Sequence, residues 1–411
     1  MNVAGSHMLA ERPPMGWNSW DCFAVTVTET QTMAQADIMA SKLALYGWQY
    51  IVVDHQWYDP DPKGYEYRTG VKFVMDEWGR WDPAPNRFPS GMKQLADYVH
   101  GKGLKFGMHL MRGIPRQAVE ANTPIKGTKY RAADIADTKS TCTWNVDMYG
   151  VDMSKPGAQE YYDGVFQRFA EWGLDFVKVD DLSRPYDPVQ KAEVEAIRKA
   201  INKTGRPMVF STSPGETPLA QADHVMQHAN MWRISDDFWD DWAQLLPQFK
   251  RLRDWSPYCG PGHWPDADML PVGVIHMGQR STKFTRDEQY TLTTLWCIAR
   301  SPLMIGADMT KLDEFTLSLL TNAEVLAVNQ RSTGNHELFN HDGLIAWIAD
   351  VPDSKDKYLA LFNTREAGAH VPVQISGRIR DLWQRKELGH FESEFAPNIA
   401  AHGAGLYRLL K

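Results

Sequence analysis

Short apolar runs alternate with longer stretches of helical periodicity through roughly the first 320 residues, and the unit recurs about eight times. Strands separated by helix-length crossovers pair in parallel, because each crossover returns the chain to the same end of the sheet. The runs lie at 15–20, 48–54, 104–110, 174–180, 207–211, 231–234, 267–270 and 302–305. Helical patterns fill the gaps at 28–45 and 92–102, and again where Tyr161, Val165, Phe166 and Phe169 recur on one face. Eight such units predict a (β/α)8 TIM barrel over 9–328. Beyond Asn329 the texture changes to strand-like runs at 343–349, 357–363 and 371–375, separated by Asp- and Gly-containing turns. They predict a C-terminal antiparallel β-sandwich over 329–411. The leader 1–8 reads as an expression-vector remnant and is left out of fold reasoning.

Barrels of this kind build their sites at the C-terminal ends of the strands. Trp20, Asp54, His109, Asp180, Ser213, Arg233, Asp237 and Asp268 collect there. A single aspartate after a strand is often only a helix cap. Asp180 closes its run with Lys178 two positions earlier, however, and Asp237 follows Arg233 by four. The chain also holds 16 tryptophans, whose rings suit the C–H faces of sugars. Two carboxylates on strand ends, set among tryptophans, match the needs of glycosidic hydrolysis: one acid attacks or stabilises the anomeric carbon, the other protonates the leaving oxygen.

The formal net charge of −7 gives no attraction to nucleic acid or to an anionic membrane, so neither is expected as a partner. No apolar run is long enough to span a bilayer. Cys22, Cys142, Cys259 and Cys297 lack metal or disulfide spacing and read as free thiols. No metal or cofactor is expected, since the histidines lack HxH or HExxH spacing. The expected partner is a glycoside or oligosaccharide, with homo-oligomer formation left open. A cytoplasmic location is favoured over a periplasmic or secreted one with its signal peptide removed.

The order of the motifs resembles glycoside hydrolase family 27, the α-galactosidase and α-N-acetylgalactosaminidase family, a barrel followed by a β-sandwich. Pro13-Pro14-Met15-Gly16-Trp17-Asn18-Ser19-Trp20 is similar to the family's opening strand. Asp175-Phe176-Val177-Lys178-Val179-Asp180 is similar to its nucleophile strand, and Arg233 to Asp237 to its Arg-x-x-x-Asp segment. Trp264-Pro265-Asp266-Ala267-Asp268-Met269-Leu270 and Ala327-Val328-Asn329-Gln330 resemble its later loop and barrel end. The resemblance implies a retaining exo-α-glycosidase acting on terminal galactosyl or N-acetylgalactosaminyl groups, with Asp180 as nucleophile and Asp237 as acid/base, their carboxyl groups about 5–5.5 Å apart. It implies sugar contacts from Trp20, Asp54, Lys178, Arg233, Asp268 and Met269.

Departures from the family pattern bear on the substrate. The usual pair of aspartates after the second strand is Asp54-His55 here, and the tyrosine ending the third strand is His109; both histidines fall at substrate positions. The segment 110–147 is long, which puts Trp144 forward as a wall. In the loop after the fifth strand, Ser213 and Gly215 resemble the N-acetylgalactosaminidase type and suggest room at the 2-position, with Glu216 near enough to fold back. The Asp54-His55 change leaves open a gluco-configured α-glucan or an arabinopyranoside. A catalytically inactive carbohydrate-binding protein is the alternative from another class.

Overall fold

The computed structural model describes residues 9–411; the leader 1–8 lies outside the described residues. Eight parallel strands form the first lobe: β1 (Met15–Asn18), β2 (Tyr50–Val53), β3 (Lys105–Met111), β4 (Phe176–Asp180), β5 (Val209–Thr212), β6 (Met231–Arg233), β7 (Trp264–Asp266) and β8 (Leu303–Ile305). Their order is β7-β6-β5-β4-β3-β2-β1-β8. The curl closes where Leu270, just past β7, forms a parallel bridge with Ile305. Its amide donates to the Met304 carbonyl at 2.7 Å, and the Gly306 amide returns a bond at 3.0 Å. Strands covered by side chains inside and helices outside are buried on both faces, so β2 reads Tyr-Ile-Val-Val without alternation.

The helices begin where local chemistry satisfies their free amides. α1 (Glu29–Ile38) opens on a capping box of Thr28 and Gln31. α2 (Gly91–Gly101) and α3 (Ala158–Trp172) follow, the latter burying Tyr161, Tyr162, Val165, Phe166 and Phe169. α4 (Pro188–Thr204) is capped by Asp187, with proline at its first position. α5 (Ala222–His228) is short. α6 (Trp242–Trp255) is capped by Asp241, and α7 (Arg286–Ile298) by a Thr285–Glu288 box. α8 (Ala323–Arg331), capped by Asn322, ends the barrel.

Two predicted boundaries shift. The helix expected over 28–45 stops at Ile38 and continues as a π turn and a 3-10 turn. The strand expected at 267–270 lies at Trp264–Asp266 instead. The reason is Asp268, whose φ of +84° breaks an extended run through the apolar residues that suggested it.

The second lobe is a six-stranded antiparallel sheet. Its strands are β9 (Thr333–His341), β10 (Leu344–Asp350), β11 (Lys357–Asn363), β12 (Gly377–Asp381), β13 (Lys386–Phe391) and β14 (Ala404–Leu410), in the order β9-β10-β11-β14-β12-β13. The run predicted at 371–375 contributes only Val373–Gln374, paired with Glu394–Phe395 in a short ribbon. Alternation along the strands divides the sheet's side chains. Leu344, Ala346, Leu359 and Leu361 pack under the ribbons with Val371, Val373 and Phe395. Ile345, Trp347, Ala360 and Phe362 join the barrel's own core. Phe249 meets Phe362 edge-on at 5.0 Å, Trp242 stacks on His402 at 4.0 Å, and the Trp383 indole donates to the Thr294 hydroxyl at 2.9 Å. All four cysteines are free thiols.

Candidate active site

A cavity of about 410 Å³ opens at the C-terminal ends of the barrel strands. Trp20, Asp54, His55, Lys178, Asp180, Arg233, Asp237, Asp268 and Met269 line it, and so does Trp144 from the long segment after β3. Three expected contacts stand differently. His109 and Ser213 lie just behind the wall, and Gly215 does not border the cavity.

The charged groups form one connected set. Lys178 and Asp180 point the same way from β4, as residues two apart in a strand must. Lys178 Nζ donates to Asp54 Oδ2 at 3.0 Å. Burial opposes the ammonium charge, but Asp54 and Asp180 outweigh it and hold the lysine above its ordinary range. Burial likewise works against ionised Asp54. Lys178, His109 and the Asn18 amide overcome this and lower its pKa to about 2. The Asn18 bond is 2.7 Å, and the second Asp54 oxygen accepts the His55 amide at 2.9 Å.

Asp180 is buried too, yet it is held well below the usual carboxylate range by the His109 hydrogen bond, by Lys178 and by the Ser213 hydroxyl. His109 sits beside Lys178 in the β3–β4 register, and its Nε2 lies 2.9 Å from Asp180 Oδ2. A carboxylate only accepts, so this nitrogen carries the proton. Asp237 behaves oppositely. Its side chain is 57 % exposed in the open cleft. Even so, its seat among the cleft walls and the like charges of Asp268 and Asp180 push its pKa up, against Arg233. Arg233 is buried at the end of β6 and reaches Asp237 at 3.2 Å and Asp268 at 2.9 Å. Asp180 and Asp237 therefore differ in proton affinity, the first held ionised and the second shifted toward its protonated form.

His55 is buried and kept neutral by burial and by His109. Asn145 accepts the Asp147 amide through its oxygen at 2.8 Å, which turns its nitrogen to His55 Nε2, also at 2.8 Å. That ring nitrogen accepts, so the His55 proton is on Nδ1, which has no partner among the described residues. Tyr67 and Trp144 pack against the ring at 5.2 and 6.4 Å.

The loop after β5 corrects the expectation of space at the 2-position. A Cβ on Gly215 would lie 1.9 Å from the Ser235 carbonyl oxygen, so this glycine serves a backbone crossing and opens no room for a substituent. Ser213 is spent on Asp180, and Pro214 is the loop residue that borders the cavity. Glu216 does not fold back; it pairs with Arg251. Asp240 is buried against Arg280.

Sequence reasoning missed Asp21, Tyr67, Arg184 and Trp239, which also line the cavity, as does Asp236, the neighbour that the Arg-x-x-x-Asp register passes over in favour of Asp237. Tyr67 stacks parallel to Trp20 at 6.2 Å from a region without periodicity. Asp21 is buried with one carboxyl oxygen unpartnered among the described residues, and burial and Asp268 raise its pKa well above normal. Its position directly after Trp20 was the only available hint.

A family model described as Alpha galactosidase A matches residues 12–155 and 150–331, and one for the Alpha galactosidase C-terminal beta sandwich domain matches 341–409. The chain belongs to glycoside hydrolase family 27. Among family relatives, the α-galactosidase of Cyamopsis tetragonoloba is 29 % identical over 98 % of this chain and 87 % of its own length. The α-galactosidase A of Cellvibrio japonicus is 31 % identical over 87 % of this chain and 77 % of its own. A solved family 27 β-L-arabinopyranosidase from Geobacillus stearothermophilus is 47 % identical, covers 98 % of this chain and 97 % of its own, and superposes with a TM-score of 0.95. The protein is thus a glycoside hydrolase.

Proposed function

We propose that this hydrolase is a retaining exo-glycosidase that releases terminal β-L-arabinopyranosyl groups. This sugar has the ring stereochemistry of α-D-galactopyranose without the hydroxymethyl arm. The observation that carries the reading is the wall formed by His55. Where the family pattern has a second aspartate for O4 and O6, the structure has a neutral imidazole bonded to Asn145 and covered by Tyr67 and Trp144. Asp54 is left to bind one hydroxyl, and an O6 placed against that aromatic wall would exchange its water and a carboxylate partner for, at most, the single neutral His55 Nδ1–H donor. The likeness to the Geobacillus arabinopyranosidase supports the same choice.

In this mechanism Asp180 attacks the anomeric carbon while Asp237 gives its proton to the departing oxygen. The glycosyl–Asp180 ester then breaks when Asp237, now ionised, takes a proton from water and the hydroxide attacks the same carbon. His109 and Lys178 keep Asp180 ionised for the first step, and Arg233 holds Asp237 and Asp268.

A panel of nitrophenyl glycosides tests the substrate. The β-L-arabinopyranoside should exceed the α-D-galactoside in kcat/KM by about tenfold or more, the value of one misplaced polar group. A preference for the galactoside or the N-acetylgalactosaminide would overturn the reading. Restoring the acid with His55→Asp should move the ratio toward the galactoside by roughly 1–3 kcal/mol. An unchanged ratio would leave His55 a structural residue.

The acid/base assignment predicts a pH profile. Activity requires ionised Asp180 and protonated Asp237, so the acidic limb lies low and the basic limb lies above the ordinary carboxylate range. Asp268→Asn removes a like charge beside Asp237 and frees Arg233 to favour its ionised form. Both effects lower the Asp237 pKa, so the basic limb of kcat/KM should shift to lower pH by about one unit. A basic limb that stays in place would show that Asp237 is not the acid.

A further inference from the structure

On the outer surface of the barrel, α5 carries His224 and His228 one helical turn apart, on the same face. Glu195 faces them from α4, and its carboxylate lies 3.1 Å from His224 Nε2. Ligand atoms of the three side chains all lie within 4.8 Å of one another. None of the three lines the cavity at the strand ends, and the mechanism above uses none of them.

We propose that Glu195, His224 and His228 bind one divalent transition-metal ion, with zinc preferred, and thereby tie α5 to α4. The ring protonation supports this. His228 Nδ1 lies 2.8 Å from the His224 backbone carbonyl, which can only accept, so Nδ1 carries the proton and Nε2 offers a lone pair. His224 Nδ1 lies 2.8 Å from the Tyr186 hydroxyl, which can donate or accept. A cation at His224 Nε2 displaces that proton to Nδ1, where the Tyr186 oxygen turns to accept it. Each imidazole then has its far nitrogen held by an oxygen, the arrangement that orients metal-binding histidines.

Tetrahedral zinc with bonds of about 2.0–2.1 Å places its ligands roughly 3.3–3.5 Å apart, so only small side-chain rotations are needed, and water completes the set. Two imidazoles and a carboxylate suit zinc better than calcium or magnesium. Lys191 acts on His224 as a nearby positive charge, and Arg198 Nε donates to the His228 carbonyl at 2.6 Å. These cations set the expected dissociation constant near about 10 μM rather than far below it.

The test is zinc titration of the full-length, EDTA-treated enzyme by calorimetry, alongside His228→Ala and Glu195→Gln. The wild type should bind one equivalent, and each substitution should weaken binding by about tenfold or more. Cobalt(II) should give the visible bands of tetrahedral coordination in the wild type and lose them in His224→Ala/His228→Ala. At a hundredfold excess of zinc over the wild-type Kd, Tm should rise by about 3–5 °C in the wild type, by about half of that or less in the single variants, and not at all in the double variant. Glycosidase activity retained by the variants reports that they are folded. No binding by the wild type, or an equal stoichiometric site in the double variant, would overturn the proposal.

Discussion

Asp180→Asn enzyme should turn over its glycosides about 10⁴- to 10⁶-fold more slowly than the wild type, whatever the leaving group. The amide keeps the shape of the carboxylate but cannot form the glycosyl ester. The His109 proton aimed at Asp180 would then face an amide oxygen, so the pocket stays intact while its nucleophile is gone. Substrate binding should therefore survive, measurable as tight binding without turnover. Residual activity within tenfold of the wild type would place the nucleophile elsewhere.

Asp237→Ala should lose about 10²–10⁴ in rate on glycosides whose leaving oxygen needs a proton, and far less on activated aryl glycosides. With an activated substrate, the first step outruns the second, because no base remains to deprotonate water. Azide needs no base, so it should restore turnover and yield a glycosyl azide of retained configuration. Nuclear magnetic resonance of the azide product, and of the first-formed sugar from the wild type, decides the matter. Inversion in either would sink the double-displacement assignment.

The parts legible from sequence were those whose physics is local. β4 declares itself because a strand buried on both faces must be continuously apolar until its functional end, and Lys178 and Asp180 then stand out. β7 was misplaced because Trp264-Pro265-Asp266 contains a proline, while the better apolar run beyond it is bent by Asp268. β9 escaped notice because it is a largely exposed, polar edge strand. Within the site, residues on strand ends or just past them were found, as was Trp144, whereas Tyr67 and Asn145, delivered by other loops, were not. Tyr67 reaches Trp20 from a segment with no period to read, and Asn145 meets His55 across 90 positions of chain. The crossing of Gly215 over Ser235 is likewise a long-range packing fact, and sequence similarity alone gave that glycine the wrong purpose. His224 and His228 had visible spacing, but only the fold supplies Glu195 and Tyr186.

The shared core of the two lobes limits what evolution can do with this chain. Trp347 and Phe362 are fully buried on a sheet face that serves the barrel's interior as much as the sandwich's own. Deleting the second lobe would strip α6 and α7 of their cover and expose that aromatic surface to aggregation. The lobe thus serves its neighbour as a fixed cover, since α6 and α7 rest on it through Phe249 and Thr294.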